Sequence, residues 1–270
     1  MRGTGQADVF VMLAHPVGHA KSPGIFNAIF EARGLDSLMT PLSCRPEDFD
    51  VFWAGLSAAE NVRGVIVSVP FKARALEKAA VALPRAARTG AANALRRLPG
   101  GGWEADNFDG AGFMGALAAG GHEVAGRRVL QLGAGGAGAS LAFGLAEAGA
   151  AAIRISDPDG PRAEALALRA QAAFPGCAFG VGPAAAGEAF DMAVNATPLG
   201  MKPDDPLPVP ADLLRPGMLV VDIVMEPAET RLLAEARARG CAVQPGRPMM
   251  DHQVEAIAAF FDIARERRHG

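Results

Sequence analysis

The chain has 270 residues, of which 50% are hydrophobic and 20% charged, with a formal net charge of −3. This balance excludes a disordered chain and allows two domains. The basic residues are scattered among acidic ones, so no nucleic-acid partner is expected. No apolar run reaches the roughly 18 residues of a membrane span, and the N-terminus has no signal-peptide pattern. We expect a cytoplasmic protein without a membrane partner.

The three cysteines, Cys44, Cys177 and Cys241, are far apart in the sequence. None has the spacing of a metal site or of a redox pair. We therefore predict buried thiols and no metal site.

The first part of the chain alternates apolar runs, bounded by turn residues, with helical segments. This alternation favours a parallel sheet with crossover helices. The predicted elements are a strand at Val9–Leu13, a helix at Pro23–Arg33, a strand at Val65–Val69 and a helix at Lys72–Ala82. The pattern breaks near residues 105–110, after which a helix is predicted at about 111–119.

A second alternating series follows, with short and uniformly apolar strands of the kind that helices cover on both faces. Its strands are predicted at Arg128–Leu132, Ile153–Ser156, Met192–Asn195, Met218–Ile223 and Ala242–Gln244, and its helices at Ala139–Ala148, Pro161–Ala173 and Thr230–Arg239. The apolar face of Asp251–Arg267 predicts a final helix, which we expect to return to the first domain.

The sequence GAGGAG, residues 133–138, lies directly after a predicted strand and opens a predicted helix. Glycines at Gly133, Gly135 and Gly138 permit a tight turn and the close approach of a pyrophosphate, while the helix N-terminus supplies free N–H donors. This context favours a dinucleotide site over a turn that binds nothing. We predict a Rossmann-type doubly wound parallel sheet, with Gly136 and Ala137 also at the cofactor.

Asp157 ends the next predicted strand, about 20 residues beyond the glycine turn. A carboxylate there accepts hydrogen bonds from a ribose 2′-hydroxyl and repels a 2′-phosphate. The same residue also fits a turn or a helix cap, and the two roles are compatible. The sequence therefore predicts NAD as the cofactor in preference to NADP.

Lys72 and Asp109 are candidates for proton transfer beside a nicotinamide. Lys72 follows a predicted strand, at the edge where open α/β sheets bind ligands, and Asp109 lies at the predicted domain junction. A lysine serves as a base only where desolvation or the reaction itself favours its neutral form. From spacing alone, a surface ion pair explains the two residues as well as catalysis does.

The break in the pattern places a domain boundary near residues 106–110. We predict an α/β protein of two domains with a cleft between them. Residues 1–108 with 246–270 form the substrate-binding catalytic domain, and residues 109–245 form the NAD-binding Rossmann domain.

A series of motifs also runs along the chain in a fixed order. They are Pro16 with His19–Pro23, Val67–Lys72, Thr89–Ala94, Asp106–Gly110, the glycine turn, Asn195–Thr197, Asp222 with Pro227 and Thr230, and Gly246, Met249 and Gln253. In these motifs and their order, the chain resembles the shikimate dehydrogenase family from end to end.

The resemblance implies reversible hydride transfer between a ring secondary alcohol, as in shikimate or quinate, and the nicotinamide. It implies that Lys72 and Asp109 are the catalytic pair. The substrate would be bound by Ser22, Ser68, Asn93 and Gln253, and the cofactor also by Arg162, Asn195, Thr197, Ile223 and Gly246. Asp157 stands where NADP enzymes of the family carry an Asn-Arg-Thr run, so the chain resembles the NAD-using quinate/shikimate branch.

The chain departs from the family pattern around the substrate carboxylate. One of two serines is Ala20, a strand asparagine is Ile66, and an expected tyrosine is Met225. Each lost donor to a charged group is worth roughly 1.5–3 kcal/mol. Candidate replacement donors are His15, Lys21 and His252. Otherwise the substrate is quinate, an aminated analogue or another cyclic polyol.

Two other classes compete with this interpretation. A non-catalytic nucleotide-binding regulator is disfavoured because the proton-transfer residues are retained, and a folate-linked dehydrogenase is disfavoured by the order of the motifs. We expect a small-molecule substrate and leave a homodimer open. The departures around the carboxylate favour a catabolic or specialised role over aromatic amino acid biosynthesis through the chorismate pathway.

Overall fold

The computed structural model describes residues 3–184 and 188–263. The strands are β1 (Asp8–Ala14), β2 (Ser37–Ser43), β3 (Val62–Val67), β4 (Val81–Ala82), β5 (Ala94–Arg97), β6 (Trp103–Asp106), β7 (Arg128–Leu132), β8 (Ala152–Ser156), β9 (Ala178–Val181), β10 (Met192–Asn195), β11 (Leu219–Asp222) and β12 (Ala242–Gln244). The helices are α1 (Ser22–Ala32), α2 (Phe49–Ala58), α3 (Lys72–Glu77), α4 (Pro84–Thr89), α5 (Asp109–Ala119), α6 (Gly136–Glu147), α7 (Gly160–Ala173), α8 (Arg231–Ala238) and α9 (Arg247–Phe260).

These residues form two compact units, one of residues 3–108 with 254–263 and one of residues 109–184 with 188–253. Within the described ranges, no helix combines the length and apolar character needed to span a bilayer. The cysteines Cys44, Cys177 and Cys241 are buried thiols, as predicted, and burial raises the pKa of each.

The first unit is built on a sheet with the strand order β2-β1-β3-β5-β6-β4. β1 pairs in parallel with β2 and β3, as the alternation predicts, but β5 runs antiparallel to β3 and β6. The segment PGGG at 99–102 reverses the chain between β5 and β6, where the Leu98 N–H donates to the Gly102 carbonyl oxygen at 3.1 Å. A purely parallel first sheet was therefore a wrong expectation.

Aromatic side chains fill the core of the first unit. Phe49 stacks on Trp53 and on Phe71, with ring centroids 5.6 and 5.1 Å apart. All three rings are buried against strand residues such as Leu13 and Val65. Because Phe71 directly precedes α3, this packing fixes the position at which α3 begins.

The second unit is built on a sheet with the order β12-β11-β10-β7-β8-β9, and every pair in it is parallel. This confirms the doubly wound sheet predicted from the apolar strands. The chain changes direction across the sheet between β7 and β10, so a topological switch point lies between these two strands. Ligands bind in such sheets at the carboxyl ends of the strands around that point.

Two predicted helices differ from the observed ones by at least four residues at one end. The helix expected to reach Ala82 ends at Glu77, because the N–H groups of Ala80 and Leu83 bond to carbonyl oxygens of β6 and draw the segment into β4. The last helix begins at Arg247, earlier than the predicted Asp251. It also ends at Phe260, because residues 261–263 form a turn, and residues 264–267 of the predicted helix lie outside the described residues.

Candidate functional site

The glycine turn joins the end of β7 to the start of α6. Gly133 has a φ of 99°, and a Cβ there would lie 2.7 Å from the carbonyl oxygen of Ala196. A Cβ on Gly138 would collide with the Gly133 carbonyl oxygen. By contrast, Gly135 is exposed, and a Cβ there would meet no described atom within 4 Å. The turn is therefore tightly packed on the side of Gly133 and Gly138 and open to solvent at Gly135. It lies beside the N-terminus of α6, and this arrangement fits a dinucleotide pyrophosphate.

Other predicted cofactor residues lie at the carboxyl ends of the neighbouring strands. Asn195 ends β10, and its Oδ1 accepts hydrogen bonds from the N–H and hydroxyl of Thr197 at 3.1 and 2.6 Å. Ile223 follows β11, and Gly246 packs against it so closely that a Cβ would lie 2.6 Å from the Ile223 carbonyl oxygen. The structure thus places these four residues at the same sheet edge as the glycine turn.

Asp157 follows β8 and is held by three donors. Its Oδ2 accepts the Ala134 N–H at 2.7 Å, and its Oδ1 accepts the Asp159 N–H at 2.8 Å and Nη2 of Arg162 at 2.7 Å. The Asp157 side chain is 4% exposed and that of Arg162 is 51% exposed. Burial acts to raise the pKa of Asp157, but these hydrogen bonds together hold it below its ordinary value. The carboxylate is therefore ionised, and its charge is balanced by Arg162.

Asp109 begins α5 and is buried. Nε2 of Gln253, on α9, donates to Oδ1 of Asp109 at 2.5 Å. The two helices approach closely because Gly112 has no side chain, since a Cβ there would lie 2.6 Å from the Met249 carbonyl oxygen and 2.8 Å from Cβ of Gln253. The structure thus brings two predicted site residues into contact, and the hydrogen bond orients the carboxylate.

The remaining predicted site residues belong to the first unit. Ser68 directly follows β3, and half-buried Lys72 begins α3 a few residues later. The carbonyl oxygen of Lys72 accepts the Ala92 N–H at 2.9 Å, which places buried Asn93 close to α3. Ser22 begins α1 and is also buried. These residues lie in segments that follow β1 and β3 or precede β5.

At one position where the sequence departs from the family pattern, the side chain lies in the core. Ile66, on β3, is 5% exposed and belongs to the apolar interior of the first unit. Among the candidate replacement donors, His15 is exposed at the end of β1, and its Nδ1 lies 3.4 Å from Oγ of Ser43 at the end of β2.

Asp222 belongs to one of the sequence motifs, but the sequence alone indicates no role for it. Its buried carboxylate accepts hydrogen bonds from Nδ2 of Asn195 at 3.0 Å, the Val224 N–H at 3.0 Å and the Thr230 hydroxyl at 2.7 Å. Burial raises its pKa, although these hydrogen bonds act to lower it. Asp222 therefore ties the end of β11 to Asn195 and to the start of α8. The sequence also gives no indication of a role for Gln131 in β7. For both Asp222 and Gln131, the one feature visible in the sequence is a polar side chain within an apolar strand.

A parallel sheet with this strand order, and a glycine turn at its switch point, defines a two-unit α/β protein with a Rossmann-type nucleotide-binding unit. The family model of the shikimate dehydrogenase substrate binding domain matches residues 12–95. The shikimate dehydrogenase (NADP(+)) of Rubrobacter xylanophilus is 40% identical over 266 residues, which cover 96% of this chain and 92% of that protein. The chain belongs to the shikimate dehydrogenase family.

Solved structures agree with this assignment. A shikimate dehydrogenase in complex with NADP+ matches with a TM-score of 0.88 and 28% identity, over 96% of this chain and 91% of that chain. The ligand-free 5-ketofructose reductase of Gluconobacter sp. strain CHM43 matches with a TM-score of 0.83 and 27% identity, over 96% of this chain and 94% of that chain.

The predicted preference for NAD over NADP is wrong. The curated relative is named as an NADP(+) enzyme, and a structural neighbour was solved with NADP+. The structure supplies a physical reason: the charge of Asp157, which was expected to repel a 2′-phosphate, is balanced by the guanidinium of Arg162. The expected membership of an NAD-using branch rested on the same aspartate and is not supported.

Proposed function

We propose that this protein is an NADP-dependent oxidoreductase that interconverts a ring secondary alcohol and the corresponding ketone, with shikimate and 3-dehydroshikimate as the expected pair. The observation that carries the proposal is the buried Asp109 carboxylate, oriented by Gln253 at 2.5 Å, in the unit that also holds the glycine turn. The substrate follows from the name and the 40% identity of the curated relative. We assign substrate binding to the first unit and nucleotide binding to the second.

Lys72 and Asp109 form the proposed catalytic pair. The nicotinamide, when bound, supplies the hydride acceptor for alcohol oxidation. Lys72 takes the proton of the reacting hydroxyl as the carbon–hydrogen bond breaks, and it returns a proton in the reverse direction. Before this transfer, Asp109 accepts the hydrogen bond of the reacting hydroxyl and so orients it. Gln253 holds the carboxylate in place for this role.

The other predicted residues are assigned to binding. Ser22, Ser68 and Asn93 would donate hydrogen bonds to the substrate's carboxylate and ring hydroxyls. The glycine turn, with Asn195, Thr197, Ile223 and Gly246, would bind the nucleotide at the sheet edge where these residues meet.

Arg162 is the proposed contact to the 2′-phosphate of NADP. It is half exposed and anchored by Asp157, which is itself anchored to the glycine turn through Ala134. Arg162→Ala removes the cation and leaves the negative charge of Asp157 unbalanced. We expect kcat/KM for NADP+ to fall about 10–100-fold, while kcat/KM for NAD+ changes little.

Arg169→Ala is the matched control for this variant, since Arg169 is another exposed arginine of α7. It should leave the ratio of the two kcat/KM values unchanged. An equal loss with both nucleotides in the Arg162 variant would contradict a 2′-phosphate contact.

A second candidate is an oxidoreductase of a polyol or keto sugar that has no carboxylate. The observations that favour it are Ala20, Ile66 and Met225 at positions where the family is expected to bind a carboxylate, and Ile66 is buried in the core. The structural similarity to a 5-ketofructose reductase also supports this second candidate, because a ketofructose carries no carboxylate.

A substrate panel separates the two candidates. Shikimate, quinate, an aminated shikimate analogue and a carboxylate-free cyclic polyol are offered with NADP+, and 5-ketofructose with NADPH, while absorbance at 340 nm is followed. We expect the highest kcat/KM with shikimate. A higher value with a carboxylate-free compound would favour the second candidate, and no turnover of any compound would contradict both.

A further inference from the structure

The glycine turn is held from inside by a polar side chain of β7, which donates hydrogen bonds to the turn. Gln131 is in β7 between its neighbours β8 and β10, and its side chain is completely buried. It lies on the same face of β7 as Val129, which packs in the apolar core against α6. An amide in this place needs an explanation, because buried strand residues of such sheets are ordinarily apolar.

The amide nitrogen of Gln131 bonds to both ends of the turn. Nε2 donates to the carbonyl oxygen of Gly133 at 3.0 Å and to that of Gly138 at 2.8 Å, so both of its hydrogens are used. Its Oε1 is buried and accepts no hydrogen bond from the described residues. An unpartnered buried acceptor is unfavourable for folding, so the stability of the core does not account for the glutamine.

Each of the two carbonyl groups belongs to a peptide plane whose N–H is also bonded. The Ala134 N–H, in the same plane as the Gly133 carbonyl, donates to Asp157 at 2.7 Å. The Ala139 N–H, in the same plane as the Gly138 carbonyl, donates to the Gly135 carbonyl oxygen at 2.8 Å. Gln131 and these partners therefore fix both peptide planes from opposite sides, and with them the direction of the amides in between.

We propose that Gln131 is a positioning residue for the nucleotide: it locks the glycine turn in its binding conformation before the nucleotide arrives, and it links the turn to Asp157 and so to Arg162. The inference rests on the proposed function, because it concerns the same nucleotide site. The side-chain hydrogen bonds of Gln131 run to the turn, and its effect on the nucleotide is transmitted through the backbone amides of residues 134–139. A turn that is already ordered loses less conformational entropy on binding.

The first test is Gln131→Met, a substitution of similar length that removes the donor. NADPH binding is measured by fluorescence titration, together with Tm. We expect the Kd for NADPH to rise about tenfold or more, with Tm nearly unchanged because the unpartnered Oε1 is removed as well. Gln244→Met is the matched control, since Gln244 is a buried glutamine on β12, an edge strand of the same sheet, and it should leave the Kd unchanged. An unchanged Kd in the Gln131 variant would overturn the inference.

A second measurement uses the unaltered protein and needs no variant to fold. Amide hydrogen exchange is followed at Ala134 and Ala139 in the absence of nucleotide. We expect both amides to be protected, because the turn is locked beforehand. Fast exchange that is slowed only by NADPH would overturn the inference even if NADPH binds. Failure of the unaltered protein to bind NADPH would instead contradict the proposed function, so the two failures are distinguishable.

Discussion

Lys72→Ala is expected to lower kcat about 10²–10⁴-fold with little change in the KM for the substrate. The reason is that the proposed role of Lys72 is to move a proton in the transition state, an interaction that contributes little to binding of the ground state. Steady-state rates of NADPH formation at saturating nucleotide, with the substrate varied, measure both constants.

Lys78→Ala is the control for that experiment. Lys78 directly follows α3, the helix that Lys72 begins, and its ammonium group pairs with Asp50 at 2.7 Å. Its removal should leave kcat unchanged, since the pair it forms is partly exposed and has no proposed role in the site. Near-normal turnover of the Lys72 variant, or an equal loss in the Lys78 variant, would contradict the assignment.

Asp222→Ala is expected to lower the free energy of unfolding by about 2–5 kcal/mol. The substitution leaves the buried donors Asn195, Val224 and Thr230 without their shared acceptor. Urea unfolding followed by circular dichroism measures the change. A loss within about 0.5 kcal/mol, the usual range for a surface substitution, would contradict the network.

Asp222→Asn is the matched variant, because an asparagine keeps the shape and one acceptor oxygen. Burial raises the folded-state pKa of Asp222 above its unfolded value, so the folded state binds the proton more tightly. The contribution of Asp222 to stability is therefore full below about pH 4 and is lost as the pH rises through the folded-state pKa. The free energy of unfolding of the wild type, minus that of the asparagine variant, should fall with rising pH over this window. A flat difference would contradict the raised pKa.

The second unit could be predicted closely because its strands are apolar on both faces. Arg128–Leu132, Met192–Asn195 and Ala242–Gln244 have the predicted bounds in the structure. In the first unit, β2 (Ser37–Ser43) was missed because it is an edge strand with exposed polar positions and an internal proline, so it lacks a continuous apolar run. The hairpin of β5 and β6 was missed for a related reason: its turn signal is clear, but both strands are short, β5 carries two arginines and β6 carries two acidic residues.

In the candidate site, features that depend on the local sequence could be predicted, and features that depend on contacts in three dimensions could not. The glycine turn could be predicted because the backbone conformation of Gly133 and the close approach at Gly138 are local requirements of the sequence. The wrong cofactor preference arose because the charge at Asp157 depends on a side-chain contact with Arg162, which spacing does not reveal. Single polar residues in strands, such as Gln131, have no periodic signature, and their partners become visible only in three dimensions.

We propose that a hydride moves from a ring carbon of the substrate to NADP+. Shikimate carrying deuterium at the carbon that bears the oxidised hydroxyl tests this claim directly, with the reduced nucleotide analysed by mass spectrometry. We expect NADPH that is heavier by the one transferred deuterium, and no such product with the Lys72→Ala variant on the same time scale. NADPH without the label, or no reduction of NADP+ by the unaltered protein, would contradict this claim.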